Sequence, residues 1–243
     1  LDEMASSKLE VLEVLPFLES PDAPLRETAL SIAEGHHEWD AALANSFFHW
    51  AGEISETRRA MLRKFVPAFA NSPPMVDYLT SLVTSKDPTH ESLGLELIAL
   101  SPGIAFQDEW IPVFESSLAD ETFSNTAVAA LQSTRTDHFT PALELICRDE
   151  ARPISLRLDA AKALGGSKGE LPETAFTLVA GVLGSSTDAT VRSQALALLP
   201  GASLTPAQRD SLAPLLQKFG PVEWASFPDL FRKSDSPGQA TLV

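Results

Sequence analysis

Cysteine is nearly missing from this chain: Cys147 stands alone among 243 residues. One thiol cannot close an internal disulfide, so cysteine usage says nothing about the redox compartment. It also cannot supply the two cysteines that a c-type haem attachment needs. No run of about 18 apolar residues occurs, so no segment reads as a membrane span. No secretory leader pattern is visible either. Positive charge is scarce, with Lys+Arg 18 against Asp+Glu 33 and a net charge of -15. That balance repels phosphate backbones and anionic lipid surfaces, and it argues against nucleic acid as a partner. The one local exception is Arg58, Arg59, Arg63 and Lys64, which on a helix are expected to face solvent on an otherwise acidic body. No stretch alternates apolar and polar residues long enough to read as a strand.

What is present is a repeated pattern. Hydrophobic residues make up 44% of the chain, enough to bury a core. Six times a short acidic or Pro-containing turn leads into a helical stretch with a small residue at the same place. Those residues are Ala29, Ala60, Gly94, Ala127, Ala160 and Ala195, with gaps of 31, 34, 33, 33 and 35. A period of this length marks a chain that stacks copies of one helical unit. Each unit reads as helix A, a turn, and helix B. The B helices open on Asp22, Glu53, Asp87, Asp120, Pro153 and Asp188. An Asp there accepts hydrogen bonds from the free N–H groups of the first turn and meets the positive helix end. The small residue seven positions later lets a neighbouring helix come close. The A helices are expected over Leu9–Leu18, Trp39–Trp50, Pro74–Val83, Asp108–Leu118, Phe139–Arg148, Leu171–Leu183 and Thr205–Phe219. Glycine and proline punctuate between units at Ser101-Pro-Gly103, Gly165-Gly166, Gly184 and Pro200-Gly201.

Asp188–Leu199 and Pro153–Leu164 resemble HEAT or HEAT-like helical repeats, a resemblance that extends from about Leu9 to Pro200. In that family an Asp and an Arg, here Asp188 and Arg192, take fixed places near the second helix. Arg26 and Arg157 match the Arg place; Thr57, Glu91 and Ser124 depart from it. The resemblance implies an all-α fold, a right-handed α-solenoid of about six to seven hairpins. Residues 1–220 form the solenoid on this reading, and 221–243 a C-terminal helical extension. The run Leu215–Pro221 with Phe227–Lys233 and Gly238–Val243 resembles the helical spacer of large exported multidomain proteins of planctomycetes. In those, a sugar-dehydrogenase-like propeller precedes the spacer and a cytochrome c domain follows. That resemblance implies a middle module of a redox protein and a periplasmic or cell-envelope location. Leu1 at the start and a new helix only beginning at Asp235–Val243 also read as a piece of something longer.

The chain offers little that reads as chemistry. His36-His37-Glu38-Trp39-Asp40, with His49, is the densest cluster of metal-ligand residue types. Adjacent histidines point about 100° apart on a helix, and Gly35 places them in a solvated turn, so no metal is expected. Cys147 sits among Leu143, Leu145 and Ile146 and reads as a packing residue. Gly165-Gly-Ser-Lys-Gly169 follows a helix rather than a strand and lacks phosphate-loop spacing. No Gly-x-Ser-x-Gly elbow exists. We therefore expect no catalytic residue and no cofactor. Trp39, Phe47, Phe48, Trp50, Trp110 and Phe114 read as core. Trp224, Phe227 and Phe231 form another stripe, for which core packing is again the default reading, and it is the best candidate for the alternative, an exposed docking anchor. Glu91 and Glu121, with Glu27 and Asp159, give an acidic surface for a basic protein or neighbouring domain. The expected function is a non-catalytic scaffold; the alternative is a stand-alone HEAT-repeat enzyme or a lyase-like ligand-binding protein.

Overall fold

The computed structural model describes residues 9–50, 55–134, 136–165, 171–200 and 202–216. Among them are thirteen α-helices and no strand. By Cα proximity the chain divides into two compact units, Leu1–Arg135 and Thr136–Val243. The first holds α1 (Val11–Leu18), α2 (Ala23–Glu34), α3 (Asp40–Trp50), α4 (Glu56–Phe69), α5 (Pro73–Val83), α6 (Pro88–Ala99), α7 (Ile111–Ala119) and α8 (Ser124–Ser133). The second holds α9 (Thr140–Arg148), α10 (Ile154–Gly165), α11 (Glu173–Ser185), α12 (Ala189–Ala197) and α13 (Pro206–Leu216). The expected boundary at 220/221 lies outside the described residues.

Neighbours in sequence are neighbours in space. In the first unit α1 packs on α2, α3 on α4, α5 on α6 and α7 on α8. The odd-numbered helices also meet one another, α1 with α3 and α3 with α5, as do the even-numbered ones from α2 through α4 and α6 to α8. In the second unit α9 meets α10 and α11, α10 meets α12, and α11 meets α13. Each unit is thus a row of helix pairs in two layers, with apolar faces buried between them. Two of the expected A helices, at Trp39 and Asp108, begin with a single 3-10 turn, His37–Trp39 and Asp108–Trp110. Each turn ends on a buried tryptophan, and Trp110 Nε1 donates to Thr80 Oγ1 at 2.9 Å.

Most of the aspartates do what their position requires. Asp87 accepts from Thr89 N at 2.8 Å and Asp188 from Thr190 N at 2.8 Å. Asp120 departs from the expectation: it accepts from Thr122 N at 2.7 Å in the turn that precedes α8, which opens at Ser124 without a side-chain cap. Asp22 accepts more distantly from Leu25 N. The Thr89 N–H holds the Asp87 carboxyl below the usual carboxylate range. The fit of the second unit of the pattern needs correction. Helix α4 is capped by Ser55, which accepts from Arg58 N, two residues beyond the expected opening. Counting seven from Ser55 reaches Leu62, which is fully buried, whereas Ala60 is exposed. The gaps on either side become 33 and 32, closer to the common period than the Ala60 register. The same shift puts Arg59, not Thr57, in the arginine place.

The arginines also act differently from an Asp–Arg ladder. Arg26 Nη1 donates to the Ser20 carbonyl at 2.7 Å, and Arg157 Nε donates to the Cys147 carbonyl at 3.0 Å. Both acceptors lie at the end of the preceding A helix, where carbonyls lack helical partners and the helix end is negative. Each arginine therefore ties its B helix to the end of the A helix before it.

The small residues work as expected at most positions. Ala127, Ala160 and Ala195 are fully buried and Ala29 nearly so. Gly94 is the tightest. A Cβ there would lie 2.8 Å from Val83 Cγ2, 2.9 Å from Val83 N and 3.1 Å from Leu82 Cβ, so α5 and α6 approach backbone to side. Near them Tyr78 is fully buried against Phe47 and Phe48, and its hydroxyl has no hydrogen-bond partner among the described residues. Burial alone raises its pKa.

Two stability measurements check this packing. Gly94→Ala gains about 1 kcal/mol of helix propensity, yet the clash with the Val83 backbone should cost more, for a net loss of about 1–3 kcal/mol in urea unfolding. A gain would show that α5 yields freely. Tyr78→Phe removes an unpaired buried hydroxyl and should raise stability by about 1 kcal/mol.

Candidate functional site

Two surfaces carry the polar side chains that sequence reasoning singled out, one in each unit. In the first unit Glu27 is exposed on α2, and Glu121 is exposed in the turn before α8. Glu91 is half-buried on α6 and accepts from Ser117 Oγ of α7 at 2.9 Å, with Ser117 itself buried. Glu91 thus stands in the arginine place and receives a bond from the following hairpin, rather than donating to the preceding one. Its carboxylate is partly committed to packing. Asp159 is exposed in the second unit.

The basic cluster is not a free cationic face. Arg58 Nε donates to Glu19 Oε1 at 2.6 Å, and Lys64 Nζ lies 3.3 Å from Glu34 Oε1. Arg63 Nε pairs with Glu96 Oε1. Arg58 and Arg59 are half-buried rather than solvent-facing. Side chains on α4 therefore pair with acids from the end of α1, from α2 and from α6. These surface pairs are each worth about 0–1 kcal/mol, but together they set an acid against three of the four bases of the cluster. The six-residue spread of these bases along one helix, facing acids on three others, was not legible without the packing.

The histidine turn is more ordered than expected. His36 stacks on Trp39, ring centroids 4.0 Å apart and planes 7° apart, and its Nδ1 lies 2.6 Å from Glu38 Oε1. That hydrogen bond is the main cause holding the Glu38 carboxyl below its ordinary range. His37 makes an edge contact with Phe69. His49 Nδ1 is 2.7 Å from the Asn45 carbonyl. The histidines are used locally and in different directions. No group of three or more His, Cys, Asp or Glu side chains suited to a metal occurs among the described residues.

In the second unit a groove of about 960 Å³ runs between the end of α9, the length of α11 and the start of α12. Leu178 and Val182 are buried in its floor, Thr177 and Gly181 are exposed, and Arg148 and Glu173 flank it. Arg148 Nη2 donates to Glu144 at 3.0 Å and to Thr174 Oγ1 at 2.7 Å. Cys147 borders the groove but is 1% exposed. Burial pushes its thiol up to about 12, with Arg157 opposing the effect only in part. A thiolate nucleophile needs the reverse setting, so the packing reading of Cys147 stands.

The aromatic expectations divide. Trp39, Phe47, Trp50, Trp110 and Phe114 are buried, whereas Phe48 is 40% exposed and meets Tyr78 edge-on. Trp224, Phe227 and Phe231 lie outside the described residues, as does most of the segment that resembles the planctomycete spacer. No helix among the described residues is long and apolar enough to cross a membrane.

No protein-family profile matches the chain. No curated protein matches it. Among solved structures, an engineered protein is similar over 80% of this chain and 98% of its own, at 17% identity and a TM-score of 0.37. A likeness at that level carries no argument about fold or function.

Thiol labelling checks the Cys147 environment. At pH 8 the native protein should react with an aromatic disulfide reagent at least ~100-fold more slowly than the urea-unfolded chain, whose thiol titrates near 8.5. The native thiol keeps its proton to about 12. Its contribution to stability is therefore complete below about pH 8.5 and is lost as pH rises from there towards 12. Equal labelling rates would show that the α9–α10 contact opens readily.

Proposed function

We propose that the chain is a non-catalytic helical-repeat scaffold: a right-handed solenoid of about six to seven HEAT-like hairpins that holds a basic protein or a neighbouring domain. One observation carries this reading. The same arginine tie and the same small buried residue recur in both units, at Arg26 and Ala29 and again at Arg157 and Ala160, and the same aspartate cap recurs near multiples of a 33-residue period at Asp22 and Asp188. A chain built by repeating one supersecondary unit exposes an extended surface rather than a single enclosed cleft. Its net charge of -15, with Glu27, Glu121 and Asp159 exposed, selects positive partners by steering more than by affinity. The internal pairing of Arg58, Arg63 and Lys64 removes the one cluster that nucleic acid would seek. On the resemblance of its last residues, we place the chain as the middle module of an exported redox protein, between a propeller and a cytochrome c domain. Flanking sequence without either domain would overturn that placement.

A charge-reversal titration tests the scaffold reading. A fluorescent, unstructured Lys/Ser peptide should bind the protein at 50 mM salt and release by 0.5 M, where charges are screened beyond ~4 Å. Glu27→Lys/Glu121→Lys alters only exposed positions and should weaken binding about fivefold or more. Unchanged binding would remove the acidic surface from the account.

A further inference from the structure

Helix α1 is apolar nearly all round, and its outer side is open. Of its eight residues only Glu13 is polar. Val14 and Leu18 are buried toward the neighbouring helices, and Val11 and Leu15 are half-buried. At about 100° per residue these four span one arc, and Leu12, Pro16, Glu13 and Phe17 span the other. That second arc is exposed: Leu12 by 71% and Phe17 by 44%, two of the most exposed large apolar side chains described. A helix apolar on all sides is normally covered on all sides. The layer explains the gap. Helix α3 packs against an odd-numbered helix on each side, α1 and α5, whereas α1 has such a neighbour, α3, on one side among the described residues.

The charges around this face choose its occupant. From Leu9 to Leu25 there are four acids, Glu10, Glu13, Glu19 and Asp22, and no base. Glu10, Glu13 and Asp22 are exposed, and Glu13 lies within the apolar arc itself. Glu19 is paired with Arg58; of the two bases that flank this stretch in sequence, Lys8 lies outside the described residues and Arg26 points back to the Ser20 carbonyl. We propose that the outer face of α1 docks a basic amphipathic helix of a partner protein. That helix would lie beside α1 as the next member of the odd-numbered layer. Its apolar side would cover Leu12, Pro16 and Phe17, and its Lys or Arg residues would face Glu10 and Glu13. A second copy of this acidic chain would bring like charges together, and an anionic membrane would be repelled. The proposal rests on the scaffold reading and adds where the partner sits and what it is made of.

The test uses the full chain and two labelled peptides of equal charge: an 18-residue Leu/Lys amphipathic helix and the unstructured Lys/Ser peptide. Leu12→Ser/Phe17→Ser touches exposed side chains, and far-UV circular dichroism with a thermal melt confirms that the variant is folded. The amphipathic peptide should bind the native protein and lose at least tenfold in affinity for this variant, while the Lys/Ser peptide binds both alike. Equal affinity of the amphipathic peptide for both proteins, or no binding to the native protein, overturns α1 as the docking face. Flotation of the native protein with phosphatidylcholine vesicles in a manner abolished by the same variant also overturns it, because the occupant is then a lipid surface. Failure of the scaffold reading appears elsewhere, as a Glu27→Lys/Glu121→Lys variant that binds the Lys/Ser peptide unchanged.

Discussion

The close approach of paired helices, tightest where α6 meets α5, is the constraint from which the other features follow. At Gly94 there is no room for even a methyl group beside the Val83 backbone, and Ala127, Ala160 and Ala195 are fully buried at the same place in their own helices. Close approach brings whole apolar faces into contact, and burial of those faces supplies the main stabilising term. It also strands polar groups at the helix ends, because the turns between paired helices are short. The side-chain caps at Asp87, Asp188 and Ser55 satisfy the starts of even-numbered helices. Arg26 and Arg157 satisfy carbonyls at the ends of the helices before them. Packing and capping are therefore one arrangement seen at two places along a hairpin.

Where the pattern departs from its own rule, the structure supplies a local reason. Glu91 cannot donate to a carbonyl, so the preceding helix end loses its tie; instead Glu91 accepts from Ser117 and links α6 to the next hairpin. The positive cluster on α4 follows the same logic of cross-links between hairpins, since Arg58, Arg63 and Lys64 meet acids on three other helices. Charges that look functional in a linear reading are here taken up in holding the row of helices together. Among the described residues the exposed charges are mostly acidic, which gives that surface its sign.

Much of the fold was legible before any coordinates. All thirteen helices fall within a few residues of expectation from periodicity, caps and Gly/Pro punctuation; α4 opens late because Ser55 caps it, and α8 opens at Ser124 rather than directly after Asp120. A weak cap signal, with Glu53 and Ser55 both available, lets a two-residue slip pass unnoticed; only burial of Leu62 and exposure of Ala60 decide it. The candidate surface was legible as charge but not as geometry. Glu91 and Glu121 look equivalent in sequence, yet one is half-buried and bonded and the other is exposed. The open face of α1 escaped notice because an octapeptide with seven apolar residues reads as core, and nothing local says that one side lacks a helix of the same layer among the described residues.

The residues along the chain determined the helices, their period and the sign of the surface, because these depend on local spacing, on short-range capping and on simple charge totals. Which of two adjacent registers α4 adopts was decided by tertiary packing. So were the targets of the arginines, the pairing of three bases of the positive cluster and the face of α1 left uncovered. Each of these turns on which distant side chains arrive within a few ångströms of one another, a quantity that spacing along the chain does not contain.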